Sequence, residues 1–523
     1  MITFLDYGAG NVRSLINAIE SLGETVKIVA SGKDILSAQK LVFPGVGAFG
    51  NMMRILKEKK YIEPLKTYLH SNRPFFGICL GLQALFEGSE EAPDVNGLGF
   101  LAGSVKRFAI EFSVPHIGWN GLNFKQSSPI FNGLRGDEKF YFVHSYYVAP
   151  EVHGVILTTT DYGCEFVSSI QKGNIIATQF HPEKSGSSGL RILKNFLQTD
   201  VEPTRPVRVS KRTELAKRII ACLDVRANDQ GDLVVTKGDQ YDVREKGVVR
   251  NLGQPVELAR RYYEQGADEI TFLNITGFRD CPLEDMPMLE VLRQTSKNVF
   301  VPLTIGGGIR DYTDKGGRNY TALEVATEYF RSGADKVSIG TDAVRIVEDY
   351  LKTGRKTGQS SIEEISRVYG NQAVVISIDP RRVYVNSPDA VQHQVIATAI
   401  AGPNGEHYCW YQCTIKGGRE GRELDAVTLA QVCEELGAGE ILLNCIDRDG
   451  TNLGFDIELI NAVKTAVSIP VIASSGAGCM EHFYEVFTET GAESALAAGI
   501  FHRREVPLAD VKNFLTGKVE IRR

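Results

Sequence analysis

Cys79 stands in Gly77-Ile78-Cys79-Leu80-Gly81, at the end of an apolar strand-like run and ahead of the helical pattern Leu82 to Phe86. Glycines two residues to either side permit a tight strand-to-helix elbow and close approach of neighbouring backbone. A thiol at that elbow sits at a helix N-terminus, where the dipole favours thiolate. By itself the pattern also describes a buried structural cysteine. A second group shifts the balance: far downstream, Ile175 to Phe180 runs as a strand into His181-Pro182-Glu183-Lys184. His181 can act as base toward Cys79, and Glu183 can orient the ring and stabilise its imidazolium. The chemistry expected is covalent catalysis by a thiolate. His116 and His144 take the ordinary structural reading. Upstream, Pro44-Gly45-Val46-Gly47-Ala48-Phe49-Gly50 contains a literal G-x-G-x-x-G after a strand. A dinucleotide site needs an acidic residue ending a second strand roughly 20 residues on, and none ends one near position 70. Backbone N–H donation to an oxyanion beside the thiol is the better-motivated use of this loop.

A second set of candidates is carboxylate. Asp224 and Asp379 each end a strand-like run, and Asp447 and Asp449 follow another in Cys445-Ile446-Asp447-Arg448-Asp449-Gly450. Carboxylates gathered at the mouth of a barrel can share general acid and base work. A lone Asp is as readily a turn or helix cap, so Asp447 and Asp449 need not both act. Gly306-Gly307-Gly308 and Ser474-Ser475-Gly476-Ala477-Gly478 expose backbone N–H groups at helix starts, an arrangement suited to phosphate. Ser338 to Thr341 and Ala497 to Gly499 stand in the loops that follow. This duplication predicts two phosphate sites facing one mouth, with Gly307, Gly308 and Thr341 at one and Ser474, Gly476, Ala498 and Gly499 at the other. Lys237 adds a cation in the first loop.

The elements that must position these groups fall into two unlike halves. Ile2 to Asp6, Val12 to Leu22, Thr25 to Val29, Lys40 to Phe43 and Pro74 to Cys79 alternate strand and helix patterns, as a mostly parallel sheet with flanking helices requires. Shorter strands follow Gly97, and a helix over Gly189 to Leu197 closes this half. We divide the chain into residues 1–198, a polar linker at 199–217 holding Pro203 and Pro206, and residues 218–523. The second half has eight strand-like runs: 219–224, 269–274, 300–308, 336–340, 373–379, 440–447, 470–476 and 494–499. Eight such runs with helical patterns between them predict a (β/α)8 barrel. The half also repeats itself. Gly266-Ala267-Asp268-Glu269-Ile270 echoes Gly437-Ala438-Gly439-Glu440-Ile441, and Val301 to Gly308 echoes Ile469 to Gly476. Gly333-Ala334-Asp335 pairs with Gly491-Ala492-Glu493, and the strand ending in Asp224 with that ending in Asp379. Four echoes in one order imply two similar half-barrels.

Composition excludes other classes. A length of 523 residues rules out a single small module. A net charge of −6 argues against bulk attraction to nucleic acid or anionic membrane, so phosphate is expected to be held by local backbone donors. Nine cysteines, an odd number in a chain this large, do not suggest a disulfide framework and fit a reducing compartment. There is no signal-like opening and no 18-residue apolar run, so the expectation is a cytoplasmic protein.

The first half resembles the triad-type, class I glutamine amidotransferases over roughly residues 1–200. That resemblance implies that Cys79, His181 and Glu183 hydrolyse glutamine to glutamate and ammonia. It also implies that Val46 and Gly47 supply the oxyanion hole and that Gln83 helps to bind glutamine. The second half is similar to the cyclase of histidine biosynthesis, and nearly the whole chain to the fused imidazole glycerol phosphate synthases. Carriers of the likeness are Pro115 to Asn120, Tyr141 to Ser145, His181 to Ser185, Arg218 to Asp224 and Ser474 to Gly478.

In that family ammonia attacks the ketose of PRFAR, a substrate phosphorylated at both ends, to release imidazole glycerol phosphate and AICAR. By carry-over Asp224 and Asp449 are the acid/base pair, Lys237 assists and Asp379 supports. Arg218, Glu269, Lys336 and Glu440 form an ammonia gate at the barrel bottom, and Lys184 and Asp335 pair across the two halves. No metal or organic cofactor and no separate glutaminase subunit is implied, and a monomer is expected. Two positions depart from the family pattern: Gly340, where an amide side chain is common, and Ser475, where glycine is. The charged stretch Gly238 to Gly253 is long enough to serve as a lid over the first phosphate. The alternative is a glutaminase feeding another phosphosugar synthase; it predicts a Schiff-base lysine at a strand end, and no lysine ends the strands carrying Asp224 or Asp379. A non-catalytic scaffold is disfavoured by the intact Cys79, His181, Glu183 and paired carboxylates.

Overall fold

The computed structural model of the chain describes its residues apart from 9, 199–212, 229–231, 237–243, 246–247, 250, 276–285 and 315–316. Lys237, most of the expected lid and most of the linker therefore lie outside the described residues. In the first half, strands Val26–Ile28, Ile2–Phe4, Leu41–Phe43, Phe75–Ile78 and Ile175–Thr178 lie side by side in that order, all parallel. Leu41–Phe43 and Phe75–Ile78 are buried throughout. Such strands read as continuous apolar runs because helices or loops cover both faces of a parallel sheet. Beyond Ile175–Thr178 the sheet turns antiparallel through Cys164–Lys172 and Ile156–Tyr162, where the sequence shows strands with few helices between them.

Topology explains why the site can form. The strand leading to Cys79 pairs on one side with the strand leading to the glycine loop, Phe43 opposite Gly77. On its other side it pairs with the strand leading to His181, Thr178 opposite Ile78. Three parallel neighbours deliver their C-terminal ends to one edge, where α/β sheets place ligands.

In the second half eight parallel strands close on themselves, Arg218–Ala227 pairing with both Glu269–Asn274 and Ser494–Ala497. The others are Leu303–Gly306, Lys336–Ile339, Val374–Ile378, Glu440–Asn444 and Val471–Ser474. Side chains alternate across a strand, so Arg218, Ile220, Cys222 and Asp224 share one face, as do Glu440, Leu442 and Asn444. The middle members join Val375, Ile472 and Leu496 in a separate buried apolar cluster on the inward faces of the strands. One feature was not legible in the sequence. Pro380–Val385, Val395–Ala397, Tyr408–Ile415 and Glu420–Asp425 form a four-stranded antiparallel sheet after strand five. Its central strand Tyr408–Ile415 is mostly buried, but the three strands around it are largely half-exposed and separated by polar turns, which weakens the periodic signal.

The end of the expected linker is ordered. Ala216 N–H donates to Trp119 O at 2.8 Å and Lys217 N–H to Glu520 O at 2.8 Å. Between the halves, Lys184 and Asp335 are joined at 2.6 Å, and Trp119 Nε1–H donates to Asp268 O at 3.1 Å.

Candidate active sites

Cys79 adopts φ 52°, ψ −105°, a strained conformation for a residue with a side chain. The surrounding glycines are there for space. A Cβ on Gly45 would lie 2.2 Å from both Ile78 O and Leu80 N, and one on Gly81 would lie 2.3 Å from Phe43 O. The elbow is pinned by the Cys79 N–H, which donates to Thr178 O at 2.7 Å. His181 is buried beside Cys79, close enough for the charge of the sulfur to act on its ring. Its Nδ1 lies 2.8 Å from Glu183 Oε1, which leaves Nε2 for the thiol.

Burial acts most strongly on the His181 imidazolium and disfavours it, but the charges of Glu183 and Cys79 outweigh burial and raise the pKa to about 10. Between pH 6.5 and about 10 the folded protein therefore holds a proton that the unfolded chain has released. The stability this pair contributes is fully present below pH 6.5 and lost as pH rises through about 10. Urea unfolding of wild type and His181→Gln should give free energies whose difference shrinks between pH 7 and pH 10; a constant difference counts against the ion pair.

The glycine loop stands differently from a ready oxyanion hole. Val46 N–H donates to the Tyr7 hydroxyl at 3.1 Å, and that hydroxyl donates to Val46 O at 2.5 Å. Gly47 takes φ 122°, where glycine is at ease. The loop is also tied to the barrel half, Ala48 N–H donating to Val368 O at 3.2 Å. Gln83 is buried behind the thiol, its Nε2 donating to Tyr146 O at 3.0 Å and Gln179 Oε1 at 3.2 Å.

At the C-terminal mouth of the barrel a cavity of about 560 Å³ gathers Asp224, Asp379 and Asp449. Gly307, Gly308 and Thr341 line it from one half, and Ser474, Gly476, Ala498 and Gly499 from the other. Gly307 and Gly308 have φ 99° and 76°, matched by Ser475 and Gly476 at 74° and 95°. Ser475 thus holds a left-handed conformation that residues with a side chain rarely adopt. Ser338 Oγ, also on the cavity wall, is buried with no hydrogen-bond partner among the described residues.

Asp447 and Asp449 face different surroundings. Asp447 Oδ2 accepts the Arg382 N–H at 2.7 Å, whereas Asp449 lines the cavity. Asp379 Oδ1 accepts from Asn444 Nδ2 at 2.8 Å. Burial raises the Asp379 pKa, the Asn444 bond opposes this and Asp449 adds to it.

At the opposite end of the barrel, Arg218, Glu269, Lys336 and Glu440 form one buried ring. Arg218 bonds Glu269 at 2.8 Å and also Glu440; Lys336 bonds Glu269 at 2.7 Å and Glu440 at 2.5 Å. Burial disfavours the Glu440 carboxylate, yet Arg218 and Lys336 hold its pKa below the usual range. Removing one member of a buried charge network typically costs about 3–5 kcal/mol, because its partners stay buried and uncompensated.

Residues 3–199 match the model of class I glutamine amidotransferases, and residues 218–507 that of histidine biosynthesis proteins. The imidazole glycerol phosphate synthase hisHF of Schizosaccharomyces pombe is 56% identical over 98% of each chain. The chloroplastic hisHF of Arabidopsis thaliana is 59% identical over all of this chain and 89% of its own. The chain belongs to the bifunctional imidazole glycerol phosphate synthases. The barrel alone matches a relative named as a synthase subunit, HisF of Methanosphaera stadtmanae, at 43% identity over 58% of this chain and 97% of that protein. As a member of this synthase family the chain is an enzyme of histidine biosynthesis that joins a glutamine amidotransferase domain to a HisF-like cyclase barrel.

Two groups at these synthase sites escape sequence reasoning. Gln179 Nε2 lies 3.4 Å from Cys79 Sγ, and the sequence marks it only by its place two residues before His181. The expectation of phosphate held by backbone donors is incomplete, since Arg310, Arg345, Lys416, Arg419 and Arg503 also line the mouth. Lys416-Gly417-Gly418-Arg419 is the tip of the unforeseen sheet, and Lys416 N–H donates to Thr341 Oγ1 at 3.2 Å.

Proposed function

We propose that the chain hydrolyses glutamine at Cys79 and delivers ammonia through the barrel to PRFAR, giving imidazole glycerol phosphate and AICAR. Thiolate attack on the carboxamide forms a thioester, His181 gives its proton to the departing nitrogen, and water then regenerates the thiol. Ammonia next meets the ketose carbonyl at the mouth, where Asp224 and Asp449 exchange the protons of addition, ring closure and C–N cleavage. The two phosphates would rest on the Gly307/Gly308/Thr341 and Ser474/Gly476/Ala498/Gly499 loops.

One observation carries the reading. The inward faces of the strands pass from a ring of four charges, through apolar side chains, to carboxylates at the far end. Six residues of strand cover roughly 20 Å. An apolar conduit passes neutral ammonia and disfavours ammonium, and the ring must part for passage. Tyr141, in the amidotransferase half, stands close enough to Glu269 and Arg218 for their charges to act on its hydroxyl.

No helix among the described residues is long and apolar enough to cross a membrane. The eight described cysteines are all unbridged, which suits a reducing compartment; we favour a monomer in the cytoplasm, and the Arabidopsis relative is named as chloroplastic. The experiment is stoichiometry. With glutamine and PRFAR supplied, glutamate, imidazole glycerol phosphate and AICAR should accumulate in equal amounts; excess glutamate or no cyclised product contradicts the proposal.

A further inference from the structure

Gln179 is fully buried, with Nε2 3.4 Å from Cys79 Sγ. An amide offers a donor or an acceptor according to how it is turned, and its neighbours must decide. Here they do. Gln83 spends both its amide hydrogens, on Tyr146 O and on Gln179 Oε1. With its oxygen occupied, Gln179 can aim only N–H at the sulfur; the reverse turn would set two NH2 groups face to face. Backbone bonds hold the main chain of both residues, from Gln83 N–H to Cys79 O at 3.1 Å and from Gln179 N–H to Ser168 O at 2.9 Å.

The charge around the sulfur calls for such a donor. With thiolate, imidazolium and Glu183 carboxylate all ionised, the buried cluster carries one negative charge in excess. Glu183 Oε2 is buried with no hydrogen-bond partner among the described residues. The titratable groups facing the sulfur are His181 and Tyr7, with Glu183 behind the former; His144 faces His181. None of them places a neutral donor on Sγ.

We propose that Gln179 is a catalytic residue of the glutaminase, its amide N–H holding the sulfur as thiolate and fixing the line along which it attacks the carboxamide. This rests on Cys79 being the nucleophile. A hydrogen bond donated to the sulfur favours its charged, nucleophilic form over the neutral thiol, so losing the bond should slow alkylation at neutral pH.

The test is the pH dependence of Cys79 carbamidomethylation by iodoacetamide in the full-length protein, read by peptide mass. A bond to a charged group corresponds to about one to two pH units. The Gln179→Leu profile should move to higher pH by that amount. Gln179→Glu, nearly isosteric, should move at least as far because it sets a carboxylate against the thiolate, and it carries the test if the leucine variant does not fold. Profiles that superimpose on wild type overturn the role of Gln179 alone. Glutamine hydrolysis retained by Cys79→Ala overturns the nucleophile assignment beneath it.

Discussion

Cys79→Ala should lose glutamine-dependent cyclisation by at least about four orders of magnitude, the scale seen when the nucleophile of a triad is removed, while free ammonia at alkaline pH still supports turnover. The argument is geometric. Cys79 holds its strained backbone through neighbours that the substitution leaves in place: the glycines at 45, 77 and 81 and the bond to Thr178. Alanine keeps the Cβ and deletes only the sulfur, so the elbow and the contacts with the barrel half persist. The mouth carboxylates lie beyond the ring and the apolar barrel interior, and external ammonia can reach them from the open end. Assays with glutamine and with ammonium salt on the same preparation separate the cases. Loss of both activities in a folded variant would mean that the sulfur, or the elbow built around it, is needed by the cyclase as well, and the two-site scheme would fall.

What the sequence revealed follows from which interactions are local. The elbow was legible because a strained turn demands glycine at fixed offsets, as the close approaches at Gly45 and Gly81 make plain. The barrel was legible because eight apolar runs recur with glycine or carboxylate at their ends, and the structure ends strand one beyond Asp224 and strand five at Ile378, one residue before Asp379. Gln179 was not, since its value comes from Gln83, distant in sequence, fixing its amide. Nor was the Lys416 turn, whose approach to Thr341 depends on a sheet with no strong period. The choice between Asp447 and Asp449 rests on one backbone amide, that of Arg382, and two residues so close in sequence cannot be separated without it.

Asp224→Asn should abolish product formation with either nitrogen source, by roughly 10²–10⁴-fold, the usual range for removing a positioned acid or base. Asparagine keeps the shape and loses the ability to take or return a proton. Asp224 pairs with Thr236 on one side and Leu273 on the other, so strand pairing through its backbone holds the position whatever the side chain does. It stands at the end of an inward face that begins with Arg218, and glutamine hydrolysis at the far end of that path should continue. Asp447→Asn supplies the contrast: its carboxylate faces the Arg382 amide and should affect cyclisation far less than Asp224→Asn does. Measuring glutamate and imidazole glycerol phosphate separately in both variants decides the matter. If Asp447→Asn is the more damaging, the acid/base pair has been misassigned. If Asp224→Asn retains ammonia-dependent cyclisation, proton transfer at the mouth runs through Asp379 and Asp449, which already influence one another across the cavity.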